Sequence, residues 1–600
     1  MLTQVVVVGG GHAGCEAALA SARLGADTVL VTINPDKIGH VSCNPAIGGV
    51  GKGQLVREID ALGGMMGLAA DANAIQYRML NSSKGPAVRS PRAQIDRWAY
   101  QNWVKARLER EDRLTIVQDQ AAAVEVRDGR VAALRTFFGK RIRCRAVVVC
   151  AGTFSRARLH LGELEWSGGR NGEPAARWLS DSLASLGLEL FRLRTDTCPR
   201  IDGRSVDFSK LGVESGDENP QPFSFLTERA DIEQLPCHTA WTNERTFEAV
   251  REVLDRSPAM TGRIDGLPPR YCPNIETKVA RFPEKRTHHL FIEPEGRNSN
   301  EMYLNGFSTS IPPEAQEEMI RSVPGLEKAH VVRYGYAVEY DAVRPTQLRD
   351  TLETKRIGGL FTAGQVNGTS GYEEAAAQGL LAGTNAALQA AGRPPFRLSR
   401  AEAYIGVLVD DLTTRGTDEP YRLFTSRAEN RLVLRQDNAD LRLTGKARRI
   451  GLVDRDRFGK TLRLEAAVLA ARRLAGTLVC GDGLSAEQLL RRPEETWESV
   501  AARFPELADV PARAAEQVEI ETKYAGYIER QRRQIARLEK SGRLEIPDGF
   551  DFNSVVGLSR EAKEKLTRIR PETLAQALAV SGVSPADGAL LLVKLRRRGR

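Results

Sequence analysis

Two of the eight cysteines stand where a thiol could do chemistry. Cys43 lies in "HVSCNPAIGGVGKGQLVREID", directly before a glycine-dense turn that ends in Lys52. Cys272 lies in "GLPPRYCPNIETKVARF", with Arg270, Lys278 and Arg281 as cationic neighbours. The thiolate is the reactive form of cysteine, and electropositive surroundings bring its pKa from about 8.5 to about 7 or below. Backbone amides of the glycine turn would act on Cys43, and side-chain cations on Cys272. Both positions are therefore candidates for nucleophilic or acid–base work. The alternative for any single cysteine is a small buried hydrophobe. The other cysteines fall in helix or strand patterns, as Cys15 and Cys150 do, or lack such neighbours. No C-x-x-C pair occurs, which argues against zinc ribbons and thioredoxin-type sites. The seven histidines do not cluster at ligand spacing, so no metal is expected.

Such cysteines need a scaffold, and the chain opens on one. "QVVVVGGGHAGCEAALASARLGADTVLVT" reads as strand, tight turn, helix, strand. The run Val5 to Val8 has the continuous apolar character of a buried parallel strand. Gly9, Gly11 and Gly14 form G-x-G-x-x-G at the turn, where glycines allow a dinucleotide pyrophosphate to approach a helix N-terminus. The acidic residue usual at the end of the second strand is missing; Thr32 and Asn34 stand there instead. Cys43 follows that strand by about ten residues, on the side where such folds bind their ligand. "RAVVVCAGTF" supplies a later buried strand, and "IGGLFTAGQVNGTSGYEEAAAQGLLAGTNAA" a strand, a glycine-rich loop and a small-residue helix.

These segments predict an α/β protein. Its FAD-binding Rossmann-like domain, of glutathione-reductase type, is discontinuous over 1–200 and 345–400. An inserted α/β domain for NAD and substrate takes 201–344, and a helical C-terminal domain takes 401–600. In the last, Val518, Tyr524, Ile528, Ile535 and Leu538 fall near one helical stripe of a run over 515–540. "AIGGVGKG" fails as a Walker A loop, because Ala46 and Gly53 replace its first glycine and its hydroxyl residue. "LVCGDGLSA" reads as a turn.

The 600 residues exceed what one core supports. With 42% hydrophobic and 27% charged residues, the composition is that of a soluble globular protein. No apolar run reaches the roughly 18 residues of a membrane span, and no signal or transit peptide is read at the N-terminus. The net charge of +9 permits an anionic partner such as RNA without requiring one.

Several longer stretches are specific: "SCNPAIGGVGKG", "EIDALGG", "SSKGPAVRSPRAQID", "PRYCPNIETKVARF", "NGFSTSIP", "GYAVEYD", "FTSRAENRLVLRQDNADLRLT" and "EQVEIETKYAGYI". Over nearly its whole length the chain resembles the GidA/MnmG family of tRNA uridine 5-carboxymethylaminomethyl modification enzymes. The resemblance implies a cytoplasmic, homodimeric FAD enzyme that works with a GTPase of the MnmE family on the wobble uridine, in the anticodon region of certain tRNAs. NADH would reduce the flavin, methylenetetrahydrofolate would supply one carbon, and glycine or ammonium the amine.

The family's catalytic cysteines fall on Cys43 and Cys272. Its FAD contacts fall on Gly9, Gly10, Gly11, His12, Ala13 and Gly14, and on Ala121, Ala176 and Gln365. Its NAD segment covers Pro268, Pro269, Arg270, Tyr271, Cys272, Pro273, Asn274, Ile275, Glu276, Thr277, Lys278, Val279, Ala280, Arg281 and Phe282. A thiolate adding to carbon 6 of uracil would make carbon 5 nucleophilic, and the second cysteine would assist as acid or base; which is which stays open.

Three positions depart from the family pattern: Asp196 and Cys198 replace glycine and proline, and Asn430 stands in "SRAENRL". Asp is poorer than Gly wherever positive φ is needed. Two other readings are a folate- and FAD-dependent tRNA uracil-5-methyltransferase, which lacks the helical C-terminal third, and a non-catalytic RNA- or partner-binding scaffold, for which the intact cysteines and fingerprint would have no use. The basic residues Arg78, Lys84, Arg89 and Arg92 are candidates for a tRNA phosphate surface.

Overall fold

The computed structural model describes residues 3–269, 273–481, 483–542, 544–547 and 549–598. Cys272, Arg270 and Tyr271 lie outside the described residues. The first strand, Val5–Val8, is buried throughout and sits at the centre of a five-stranded parallel sheet. The order is Leu360–Thr362, Ala146–Val149, Val5–Val8, Thr28–Thr32, Leu114–Gln118, with Val5 opposite Ala146 on one side and Thr28 on the other. β-Branched valines suit a strand covered on both faces. The α/β class and the Rossmann-like topology expected from the sequence are present.

Helix His12–Arg23 follows the glycine turn and lies against helix Tyr372–Ala390. Small residues make this contact possible. A Cβ at Gly379 would come 2.0 Å from the Ala13 carbonyl oxygen, and one at Gly383 2.2 Å from that of Ala17. Ser21 Oγ donates to the Gly383 carbonyl at 2.9 Å. Backbones this close leave no room for a larger side chain, so the two helices that flank the ligand-binding edge are fixed relative to each other.

A six-stranded antiparallel sheet forms the inserted domain, in the order Gly212–Glu214, Cys237–Trp241, His289–Pro294, Glu301–Asn305, Arg200–Asp202, Val331–Arg333. It has its own core, with Phe247, Ile275, Leu304 and Met319 buried. The chain leaves this body sooner than the 345 read from the sequence. Strand Ala337–Val343 pairs with Arg158–Leu161 and Leu190–Asp196 in a separate antiparallel sheet.

Beyond 400 the described elements are helical or turn-like. Two further small cores occur there, one around Trp497 and Val518, one around Phe552, Leu566 and Leu591. The run over 515–540 is two helices, Ala512–Lys523 and Ala525–Gly542, and Tyr524 between them breaks the single stripe expected. Val518 and Ile528 are buried, Tyr524 and Ile535 only half-buried, and the Leu538 side chain lies outside the description. Buried acids tie these helices to the first domain. Glu58 accepts from the amides of Tyr404 and Ile405, each at 2.9 Å, and pairs with Arg442 at 2.9 Å. Asp60 pairs with Arg457 at 2.9 Å. The last unit is held by Arg349 pairing with Glu572 and by Lys355 Nζ donating to the Ile569 carbonyl.

Candidate functional site

At the carboxyl edge of the parallel sheet lies a cavity of about 640 Å³. The glycine turn forms one wall. Gly9 has φ +102°, and a Cβ there would meet the Cys150 carbonyl oxygen at 2.4 Å; a Cβ at Gly14 would meet the Gly9 carbonyl oxygen at 1.7 Å. At Gly11, by contrast, a Cβ would meet nothing within 4 Å. Gly11 caps the helix His12–Arg23 without any side-chain hydrogen bond, so the amides of the first turn face open space. This is a cradle for a phosphate group. His12 is buried, and its ring lies tilted against that of Tyr372, centroids 4.7 Å apart. Burial lowers its pKa to about 4, with Glu373 acting against and Arg170 and Lys52 with the shift; the ring is neutral at physiological pH.

Gly9, Gly10, Gly11, His12, Ala13, Ala121, Ala176 and Gln365 all border this one cavity, as do Thr32 and Asn34; Gly14 packs behind the turn. Ala121 and Ala176 are buried, and Gln365 is half-buried at the cavity. A turn that leaves Gly11 open, an uncapped helix start and small residues along the far wall fit an extended dinucleotide such as FAD.

Cys43 is half-buried at the same cavity. Its amide donates to Tyr372 Oη at 2.6 Å, and its sulfur lies 3.2 Å from Tyr303 Oη. The glycine amides that follow are not aimed at the sulfur. Gly48 N–H donates to Glu373 Oε1 at 2.7 Å, and Gly49 N–H to the Pro91 carbonyl at 2.9 Å. Lys52 is likewise committed, to Glu373 at 2.8 Å. Positive charge comes instead from Arg200. Its guanidinium stands 4.9 Å from the Tyr303 ring centroid, donates from Nη2 to the Ser42 carbonyl at 2.6 Å and from Nε to Glu295 at 3.0 Å. Burial works against the Arg200 charge, but Glu295, Tyr303 and Cys43 outweigh it and the pKa moves up. Sequence reasoning missed Tyr303, Tyr372 and Arg200 because they come from 157 to 329 residues away (200 − 43, 372 − 43); the one signal was that Tyr372 falls in the loop-and-helix stretch "IGGLFTAGQVNGTSGYEEAAAQGLLAGTNAA", while Tyr303 and Arg200 lie outside every stretch quoted above.

The 268–282 segment divides three ways. Pro269, Pro273 and Lys278 reach the cavity. Ile275, Glu276, Thr277 and Val279 are buried, Glu276 accepting from Ser310 N–H at 2.9 Å, and Asn274 caps the helix Ile275–Arg281 through Thr277 N–H at 3.0 Å. Pro268 is half-buried, and Ala280, Arg281 and Phe282 point to solvent. The three departures also resolve. Asp196 ends a strand opposite Ala337 and is absent from the positive-φ positions among the described residues, so aspartate brings no backbone strain. Cys198 lies in the cavity wall. Asn430 is buried, its carbonyl accepting from Val433 and Leu434.

The basic stretch is less available than its sequence suggests. Arg78 pairs with Glu214 and Arg92 with Glu293, the latter at 2.6 Å. Lys84 is exposed and Arg89 half-buried. No group of three potential metal-binding side chains occurs among the described residues, and none of their helices is long and apolar enough to cross a membrane.

The chain matches the family model "Glucose inhibited division protein A" over residues 4–394. It also matches the models for the MnmG/GidA C-terminal helical domain over 459–532 and helical bundle over 534–600. It is 51% identical to the tRNA uridine 5-carboxymethylaminomethyl modification enzyme MnmG of Rhodopirellula baltica, over 98% of this chain and 93% of the relative. Identity to the enzyme of that name from Caldicellulosiruptor saccharolyticus is 50%, over 99% and 98%. The structure of Aquifex aeolicus GidA superposes with a TM-score of 0.94 at 46% identity, covering 99% of this chain and 100% of that one. Matched over residues 4–394 and along both helical C-terminal units, the chain belongs to the GidA/MnmG family.

Proposed function

We propose that this protein is an FAD-dependent tRNA-modifying enzyme. With a GTPase partner it adds a carboxymethylaminomethyl or aminomethyl group to carbon 5 of the wobble uridine. NADH, methylenetetrahydrofolate and glycine or ammonium are its co-substrates, and it works as a cytoplasmic homodimer. The observation that carries this reading is the shared cavity: the open glycine cradle and Cys43 face one space. Family membership adds the substrate class. When bound, FAD supplies hydride chemistry; Gly9, Gly10, Gly11, His12, Ala13 and Gly14 would hold its pyrophosphate side, with Ala121, Ala176 and Gln365 along the rest.

In this reading Cys43 Sγ adds to carbon 6 of the uracil ring. The sulfur–carbon bond forms, the C5–C6 π electrons move onto the C5–C4–O4 unit, and carbon 5 becomes nucleophilic. Reversal expels the thiolate after carbon 5 has been substituted and has lost its proton. Tyr303 holds the thiol in place, and Arg200 balances negative charge on the sulfur. Cys272, in the 268–282 segment assigned to NAD, is the second catalytic cysteine and works as acid or base. The purified protein should be yellow, bleach with NADH and, with partner and co-substrates, modify tRNA. Cys43→Ser should keep colour and NADH oxidation but form no modified uridine. A colourless protein that FAD does not reconstitute would overturn the reading.

A further inference from the structure

Cys198 shares its surroundings with Cys43. The Tyr303 hydroxyl lies 3.2 Å from Cys43 Sγ and is hydrogen-bonded to the Cys198 side chain as well. Both cysteines border the same cavity. One guanidinium also joins the two main chains: Arg200 Nη1 donates to the Cys198 carbonyl at 2.9 Å, and Nη2 to the carbonyl of Ser42 at 2.6 Å. A planar fork of this kind holds its two acceptors on one side and close together. Two sulfurs on one hydroxyl, on backbones clamped by one arginine, are neighbours in a way the separation of 155 residues (198 − 43) hides.

We propose that Cys43 and Cys198 are a redox pair that closes into a reversible disulfide when hydrogen peroxide reaches the cavity. Cys43, half-buried, meets the oxidant first. Its thiolate attacks peroxide; the S–O bond forms, the O–O bond breaks, and the departing hydroxide takes up the proton that the Cys43 thiol released, leaving Cys43 sulfenic acid and water. The Cys198 thiol then attacks the Cys43 sulfur; the S–S bond forms, the S–O bond breaks, and a second water leaves. Two thiols lose two electrons and one peroxide becomes two waters. The Tyr303 side chain must swing aside for the sulfurs to meet. The Cα atoms must settle about 4.4–6.8 Å apart. A dithiol reductant restores both thiols. The disulfide protects Cys43 from irreversible oxidation and switches the site off while it lasts. Only this loss of activity rests on the proposed role of Cys43 in uridine modification.

The test treats the full-length flavoprotein with a small excess of hydrogen peroxide, blocks remaining thiols with N-ethylmaleimide and maps the peptides by mass spectrometry without reduction. The expected result is a Cys43–Cys198 linked peptide that dithiothreitol separates. In Cys198→Ser the link should vanish and Cys43 sulfenic acid should be trapped by dimedone. Modification activity of the native chain should fall at least tenfold with peroxide and return with dithiothreitol. A link from Cys43 to any other cysteine overturns the proposal. So does over-oxidised Cys43 beside a fully alkylated Cys198. The link is read by mass, so its absence counts against the redox pair alone. A link without any effect on activity would instead count against the catalytic role of Cys43.

Discussion

Tyr303 Oη and Cys43 Sγ stand 3.2 Å apart although 260 residues separate them. The phenol is buried, and burial, followed by Cys198 and Cys43, drives its pKa well above the usual value. It therefore stays protonated and is placed to donate its hydrogen bond to the thiolate form in which Cys43 would attack. Such a bond to a charged group is worth about 1.5–3 kcal/mol, roughly 10- to 150-fold. Tyr303→Phe should slow both uridine modification and alkylation of Cys43 by about that factor while flavin content is unchanged. Equal rates for the variant and the native chain would remove Tyr303 from the site.

Gly11 offers a sharper test of the cradle. A Cβ there meets nothing within 4 Å, so Gly11→Ala should fold normally. Gly11→Glu should fold too, but its carboxylate projects into the space where a pyrophosphate would sit, and like charges there are strongly unfavourable. The glutamate variant should lose its bound flavin, measured as the ratio of absorbance near 450 nm to that of the protein. Full flavin occupancy in Gly11→Glu would show that the dinucleotide lies elsewhere.

The legible parts of the fold are the locally determined ones. Four consecutive valines, a glycine turn and a small-residue helix dictate their structure within some thirty residues, and Val5–Val8 and His12–Arg23 stand at the positions read from the sequence. What escaped reading is non-local. The positive charge beside Cys43 belongs to Arg200 and the glycine amides turn elsewhere. The strand Ala337–Val343 takes its place by pairing with residues 158–161 and 190–196, and its own pattern does not announce a change of sheet. Tyr524 ends one helix and precedes the next, although the apolar spacing runs on across it.

The basic stretch now yields a narrower prediction. Arg78 and Arg92 neutralise Glu214 and Glu293, so only Lys84 and Arg89 are left to meet a phosphate. Each lost phosphate contact lowers the slope of log K against log salt by about one unit. Lys84→Ala and Arg89→Ala should each flatten the salt dependence of tRNA binding. Arg92→Ala should instead disturb the cavity wall and leave the slope alone. Unchanged slopes for Lys84 and Arg89 would make this a solvated loop and nothing more.

The C-terminal bundle has a core of its own, from Ile546 to Leu595, and touches the first domain through Arg349, Lys355, Glu572 and the Ile569 carbonyl. A cut that removes residues 543–600 takes this unit out whole. Flavin binding and NADH oxidation should survive the cut, and tRNA modification with the GTPase partner should stop. Capture of the partner by the truncated chain as efficiently as by the full one would move the docking surface elsewhere.

Glu276 links the inserted domain to pH. Its carboxyl is buried; burial, and then the nearby Asp196, push its pKa from 4.5 up to about 7. One oxygen accepts from Ser310 N–H and Oγ, at 2.9 and 3.1 Å, while Oε2 has no partner. Between these two pKa values the folded chain holds a proton that the unfolded chain has released. Stability must then fall as pH rises through that window, by up to about 3 kcal/mol for this group. Glu16, pushed up to about 7 mainly by burial, acts in the same direction, so a single substitution removes only part of the dependence. Glu276→Gln keeps the acceptor for Ser310 and replaces the unpartnered oxygen with a donor beside the Asp196 carboxylate. Thermal midpoints measured at pH 5 and pH 8 should show the variant close to the native chain at the lower pH and several degrees above it at the higher. A variant less stable than the native chain at pH 8 would mean that Glu276 is ionised in the fold and held there by a cation.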